Sequence, residues 1–181
     1  MIRPSLVLRE RAILCSIASL LTTALPASAQ DADPLVENAD TGYYDFWVGT
    51  WVEEKDGVTD TAGTRFVVEP SVNPAAFEER WRIVLDDGAE WRATALRAWD
   101  KTAGRWMYTW VSDNGLYQVW EGRKDRHGWW IYKHFDVDGD RYLSRQGFFP
   151  EPDGSVLRIS QKSYDEGGTW ELRFQQRLVR Q

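Results

Sequence analysis

Glu79 and Arg97 have the types and spacing to do chemistry beside aromatic rings. Glu79 stands two residues before Trp81, and Arg97 two residues before Trp99. In an extended strand, residues i and i+2 share a face, so each charge lies next to an indole. His134 follows Tyr132 at the same spacing, and Gln146 shares strand parity with Tyr142. If those faces turn inward, a few polar groups converge on an aromatic cavity, the usual form of a small-molecule site. A buried Glu–Arg pair there could carry perturbed pKa values and move protons. If the faces turn outward, the same groups are merely solvated. One sequence leaves that choice open, because a one-residue change of register exchanges the two faces.

Other chemistries find little in the chain. No Ser-His-Asp order and no nucleophile-elbow glycine pattern occurs. The two histidines, His127 and His134, lie apart, and the single cysteine, Cys15, sits near the N-terminus, which argues against a zinc site. Asp136-Val137-Asp138-Gly139-Asp140 alternates carboxylates as a calcium loop does. Counted from Asp136, however, the positions that need Gly and Glu hold Arg141 and Gly147. The segment is expected to be an Asp-Gly hairpin turn. The run from Ser163 to Trp170 fits the Ser-x-Asp-x-Gly-x-Thr-Trp pattern of propeller blades, but it occurs once in a chain short for most propellers. Asp165 is expected to bind backbone N–H groups in a tight hairpin with Trp170 packed beneath. No metal and no cofactor is expected.

Residues 1–29 read as a secretory signal peptide. Arg3, Arg9 and Arg11 precede an apolar run over 12–25, and Ala27-Ser28-Ala29 supplies the small-x-small cleavage pattern. The apolar run is shorter than the roughly 20 residues of a membrane span, so no span is expected after cleavage. The product would be periplasmic or secreted, with a flexible segment over 30–41 and one domain over 42–181. The leader carries three Arg and one Glu, so its removal takes the net charge from −6 to −8 and leaves no cysteine. An acidic chain without a basic tract repels phosphate backbones and anionic lipid surfaces, which excludes nucleic acid as the expected partner. Stability must come from a packed core, to which all 11 tryptophans are available.

Nearly every segment past residue 41 is rich in β-formers, and nearly every gap holds Gly, Asn or Asp. Ten strands are predicted, over 50–55, 64–72, 77–85, 90–99, 105–112, 116–122, 129–135, 141–149, 156–163 and 169–179. Only 43–48 invites a helical turn. Short connections imply an antiparallel meander, and closing it removes two exposed edges. The expected fold is therefore all-β, a single up-and-down barrel of about ten strands, with a two-sheet sandwich as the competing form. Aromatics recur on one parity within strands: Trp91 with Trp99, then Trp106, Tyr108 and Trp110, then Trp130 with Tyr132, then Trp170 with Phe174.

An ordered set of motifs carries a resemblance. Phe46-Trp47-Val48-Gly49-Thr50-Trp51, Glu79-Arg80-Trp81, Arg97-Ala98-Trp99-Asp100, the stretch from Arg105 to Gly115, and Ser163 to Trp170 resemble, in order, the motifs of a bacterial exported domain family of unknown function. The Gly-x-Trp opening is also similar to the calycins, antiparallel barrels that commonly hold an apolar ligand. The resemblance implies that Trp51 closes the barrel floor by stacking with an arginine of the last strand, Arg173 or Arg177. It raises His134 as a haem ligand, although no late residue reproduces the ligand used by haem-binding calycins, so haem is not expected. The main expectation is a carrier of a small apolar or aromatic molecule, contacted by Trp81, Arg97, Trp99, Tyr108, Trp110, Tyr132, His134 and Gln146. A second is a lyase- or isomerase-type enzyme on the same scaffold, using Glu79, Arg97 and Tyr108. A third is a filled barrel that acts through its outer surface on a protein partner. Oligomeric state is left open.

Overall fold

A computed structural model describes residues 40–85 and 87–181; the signal-peptide reading lies outside the described residues. A 3-10 turn at Asp45–Trp47 precedes ten strands: β1 (Gly49–Lys55), β2 (Val58–Pro70), β3 (Ala76–Val84), β4 (Glu90–Asp100), β5 (Arg105–Ser112), β6 (Tyr117–Asp125), β7 (Gly128–Val137), β8 (Asp140–Pro150), β9 (Val156–Ser163) and β10 (Glu171–Arg180). Each pairs antiparallel with its neighbour in the chain, and β1 pairs with β10 to close the barrel. Closure runs through Trp51 opposite Arg180 and Glu54 opposite Arg177. The expected all-β, ten-strand, up-and-down barrel is the observed fold, and the sandwich is not.

Turn chemistry sets the hairpin registers. Asp56-Gly57 and Asp138-Gly139 are two-residue connections with φ of 51° and 76°, and 53° and 85°. Positive φ at both positions matches the twist of the flanking strands, so Lys55 pairs directly with Val58 and Val137 with Asp140. The first hairpin differs from the sequence expectation. Residues 59–63 lack apolar alternation and read as loop, yet they extend β2, and the register shifts beside Val52 and Glu53 to absorb the extra residues. Asp60 stabilises that irregularity by accepting hydrogen bonds from the N–H groups of Ala62 and Gly63, at 3.1 and 2.8 Å.

Alternation decides what fills the interior. Phe77, Glu79 and Trp81 on β3, Ala93, Ala95 and Arg97 on β4, and Trp106 and Tyr108 on β5 are all buried. Between them, Glu78, Arg80, Thr94 and Leu96 are exposed. Across the barrel the inward set continues with Trp120, Ile131, Phe148 and Leu178.

One end of the barrel is plugged. The segment from Asp40 to Trp47 lies across it, with Tyr44 and Trp47 fully buried. The Trp51 indole N–H donates to the Trp47 carbonyl at 2.8 Å, and the two indoles stack with centroids 5.3 Å apart. Trp106 donates to the Asp40 carbonyl at 2.8 Å. The arginine over Trp51 is Arg180, with its guanidinium carbon 4.7 Å from the ring, and it donates to the carbonyls of Phe46 and Val48. That corrects the expectation of Arg173 or Arg177. Register explains it, because only Arg180 lies opposite Trp51. Arg177 instead pairs with Glu54 at 2.8 Å and with Asp153, and Arg173 reaches Ser144 at 3.3 Å. Gly49 belongs to this junction. Its φ is +142°, and an added Cβ would sit 2.6 Å from the Arg180 Nη1, so the motif glycine answers both a backbone and a space requirement. Among the described residues no helix is long and apolar enough to cross a membrane.

Candidate functional site

Above the plug lies an ion pair with no exposed surface. Glu79 and Arg97 are each 0% exposed, and the Arg97 Nε donates to Glu79 Oε1 at 3.0 Å. Antiparallel pairing of β3 with β4 brings the two inward-facing residues onto adjacent strands. Trp47 also donates to Oε1, at 2.9 Å, while Trp81 and Tyr108 donate to Oε2 at 3.0 and 3.4 Å. Four donors thus converge on one carboxylate, matching its acceptor capacity. Among the described residues the Arg97 Nη1 and Nη2 have no hydrogen-bond acceptor within reach. They are enclosed by rings instead, with the guanidinium carbon 4.3 Å from the Tyr44 centroid, 4.6 Å from Phe148 and 4.7 Å from Tyr108. Burial by itself would lower the Arg97 pKa, but the Glu79 charge and the Tyr44 and Tyr108 hydroxyls raise it. Burial, then the Glu79 charge, pushes the Tyr108 phenol well above its ordinary value, so it stays protonated as a donor. Tyr44 is raised in the same way, chiefly by burial.

Toward the other end the interior opens into a cavity of about 300 Å³. Its walls are Trp81 and Ile83 from β3, Trp91 from β4, Trp110 from β5 and Phe174 from β10, with Leu116 at the rim. Arg158, Gln176, Thr64 and Ser112 supply the polar lining. Arg158 is half-buried, its guanidinium carbon 4.9 Å from the Phe174 centroid and 5.3 Å from Trp81. Its three hydrogen bonds go to neutral amide oxygens. Nε and Nη2 donate to Gln146 Oε1 at 3.3 and 2.9 Å, and Nη1 donates to Gln176 Oε1 at 2.9 Å. Gln176 in turn donates to Glu53 at 3.0 Å. Among the described residues Arg158 takes part in no ion pair. Burial first, with Arg97 adding repulsion, lowers its pKa, while Tyr108, Glu79 and Glu53 oppose the shift; an arginine remains cationic throughout the physiological range.

Trp81 separates the two layers. Its ring lines the cavity while its indole N–H holds Glu79. Phe148 separates the two guanidiniums, 4.6 Å from that of Arg97 and 5.7 Å from that of Arg158.

The residues singled out from sequence are distributed across four places. Trp81 and Trp110 line the cavity, and Gln146 stands behind it as an acceptor for Arg158. Glu79, Arg97 and Tyr108 come together, but in the sealed layer below. Trp99 packs at the closed half against Trp106 and Trp129, at 6.0 and 5.5 Å. Tyr132 and His134 face outward. On β7 the inward residues are Trp129 and Ile131, with Ile131 opposite the inward Gly122 and Gln146. His134, 61% exposed, meets Glu166 at 2.8 Å, which removes it from the cavity and from any haem site inside the barrel. Trp130, Tyr132 and Trp170 build an outer cluster around Arg145, whose guanidinium carbon is 4.2 Å from Trp130 and 4.0 Å from Trp170. Trp170 and Phe174 therefore lie on opposite faces despite their even spacing, because the β10 register shifts between Leu172 and Phe174.

Arg158 was not singled out from sequence. It stands between Leu157 and Ile159, so alternation on β9 reads as apolar-in and arginine-out. The pairing is the reverse. Arg158 lies opposite the inward Phe148 and Gln176, while Leu157 and Ile159 face the outer aromatic side opposite Phe149 and Gly147. Larger depressions, of about 400 and 440 Å³, lie against the outer face of β6–β8 and alongside β3–β5. Neither has inward-facing rings converging on a single cation. Among the described residues no group of three or more His, Cys, Asp or Glu is placed to hold a metal ion. In the Ser163–Trp170 turn, Asp165 accepts from the Thr169 N–H and the Ser163 and Thr169 hydroxyls at 2.6–2.8 Å.

In comparisons with known proteins, no family model matches the chain, and no curated protein matches it. Its chemistry is read from this geometry.

Proposed function

We propose that the protein is an exported barrel, calycin-like in plan, that binds a small, partly apolar molecule in the mouth cavity. The observation that carries this reading is the layered interior, an aromatic cavity of about 300 Å³ above a core that is filled by buried side chains. That volume falls at the lower end of small-molecule pockets, which are mostly apolar with a few placed polar groups. Export is supported by the leader pattern of residues 1–29. Catalysis by Glu79, Arg97 and Tyr108 has less support, because Glu79 and Arg97 have no surface a substrate could reach and Trp81 stands between them and the cavity.

The test is binding of a neutral apolar fluorophore, N-phenyl-1-naphthylamine, followed by its emission. Wild-type protein is expected to bind it, and Trp110→Ala to weaken binding about tenfold or more through lost ring contact. Trp170→Ala, on the outer face, is expected to leave binding unchanged. Equal affinity in wild type and Trp110→Ala, or loss only in Trp170→Ala, would move the site out of the barrel mouth.

A further inference from the structure

We propose that the molecule held in the mouth cavity is a small aromatic monocarboxylate whose carboxylate sits on Arg158. This rests on the reading of that cavity as a binding site and goes on to name the class of guest.

Three observations converge. The first is charge. Arg97 has a carboxylate of its own at 3.0 Å, whereas the hydrogen bonds of Arg158 go to the neutral oxygens of Gln146 and Gln176. A half-buried cation facing uncharged partners leaves an attraction for an anion that lower polarity strengthens. The glutamines fix its orientation without neutralising it. Those three bonds use one N–H on each Arg158 nitrogen, so one N–H remains on each terminal nitrogen for a carboxylate to accept.

The second observation is shape. The cavity walls are flat rings, with Trp81 and Trp110 at 5.6 Å in an edge-to-face arrangement and Phe174 beside Arg158. Edge and face surfaces of this kind favour another ring over a flexible chain. The third is depth. Below Trp81 the interior is occupied by Glu79, Arg97, Tyr108 and Phe148, all buried. These side chains block the way for a long acyl tail, and a cavity of about 300 Å³ accommodates one or two fused rings with a short acidic arm. Among the described residues Arg158 is the one cation that lines it, so one negative group is matched and two are not.

The acidic chain does not oppose this. Net charge governs long-range approach, which salt screens over about 10 Å, whereas the contact with Arg158 is made at hydrogen-bond distance inside the mouth.

The experiment is calorimetric titration of the full mature protein with 2-naphthoate and with 2-naphthamide, a near-isosteric neutral pair, at neutral pH. Naphthoate is expected to bind at least about tenfold more tightly than naphthamide, as charge-assisted hydrogen bonds require. In Arg158→Gln the preference is expected to vanish while naphthamide affinity stays the same; Arg158→Lys is expected to keep part of it. The wild-type comparison needs no variant, so a folding defect in Arg158→Gln leaves the test intact. Equal affinity for the two probes in wild type overturns the carboxylate assignment while the cavity reading stands. Binding of neither probe overturns both. A preference for naphthoate that survives in correctly folded Arg158→Gln places the anion on another cation.

Discussion

Arg97 and Arg158 occupy the same barrel interior, one layer apart, with Phe148 between them, and they are treated in opposite ways. Arg97 is sealed. Its Nε binds Glu79, rings cover its remaining faces, and the carboxylate it serves is also held by two indoles and a phenol. Arg158 is oriented but, among the described residues, has no carboxylate in direct contact, with glutamine amides as its acceptors and its flank on a cavity. A charge whose field is closed by neighbours is architecture. A charge of the same type, kept half-buried with no carboxylate in contact, is where we propose that a guest binds.

Removing one member of each set should separate the two roles, and the largest effect belongs to the sealed pair. Glu79→Gln leaves the Arg97 charge buried without a counter-ion, so it is expected to lower unfolding free energy by about 3–5 kcal/mol in guanidinium titration. A loss below about 1 kcal/mol would mean that water reaches this layer, and the contrast with Arg158 would fail. Arg158→Gln is expected to cost about 1 kcal/mol or less, because the bonds lost go to neutral acceptors and glutamine can replace some of them. A loss as large as that of Glu79→Gln would make Arg158 structural as well.

The smallest effect lies outside the interior and gives the scale of a surface network. Hydrogen bonds from the Ser163 hydroxyl and from the Thr169 N–H and hydroxyl lower the Asp165 pKa to about 2. The unfolded value is about 3.9. A depressed carboxylate pKa contributes stability above the unfolded value and loses it as pH falls toward the folded one. Melting temperature in the wild type is therefore expected to drop between about pH 4 and pH 2 by more than in Asp165→Asn, which lacks the titrating group. Parallel curves would show that the turn does not depend on the ionised carboxylate.

Much of the barrel could be read from residue order. Strand count, antiparallel order and the Asp-Gly hairpins follow from local signals, namely β-rich runs and turn residues at short intervals. The closed-end motif was legible as well, since Gly49 and Trp51 are spaced for a turn and a buried ring. The sites were legible only in part. Glu79 and Arg97 were recognisable as a potential pair because β3 and β4 alternate cleanly, with exposed polar residues between buried ones. His134, Tyr132 and Arg158 were misread or missed for one shared reason. Their strands have a second apolar face, where Trp130, Phe149, Leu157 and Ile159 gather outside the barrel, and an apolar outer face inverts what alternation implies.

Residue order by itself thus determined a β-meander, its turn positions and the pairing of an acid with a base on adjacent strands, because all three depend on neighbours close in the chain. Closure, parity and compensation were decided by the tertiary structure. Which arginine meets Trp51 depends on the β1–β10 register, set by residues more than a hundred positions apart. That Trp170 faces outward while Phe174 faces inward depends on one register shift in β10. That one arginine is neutralised and the other is not depends on which carboxylate the folded barrel brings within hydrogen-bond reach, and electrostatic strength falls too steeply with distance and solvent for composition to reveal it.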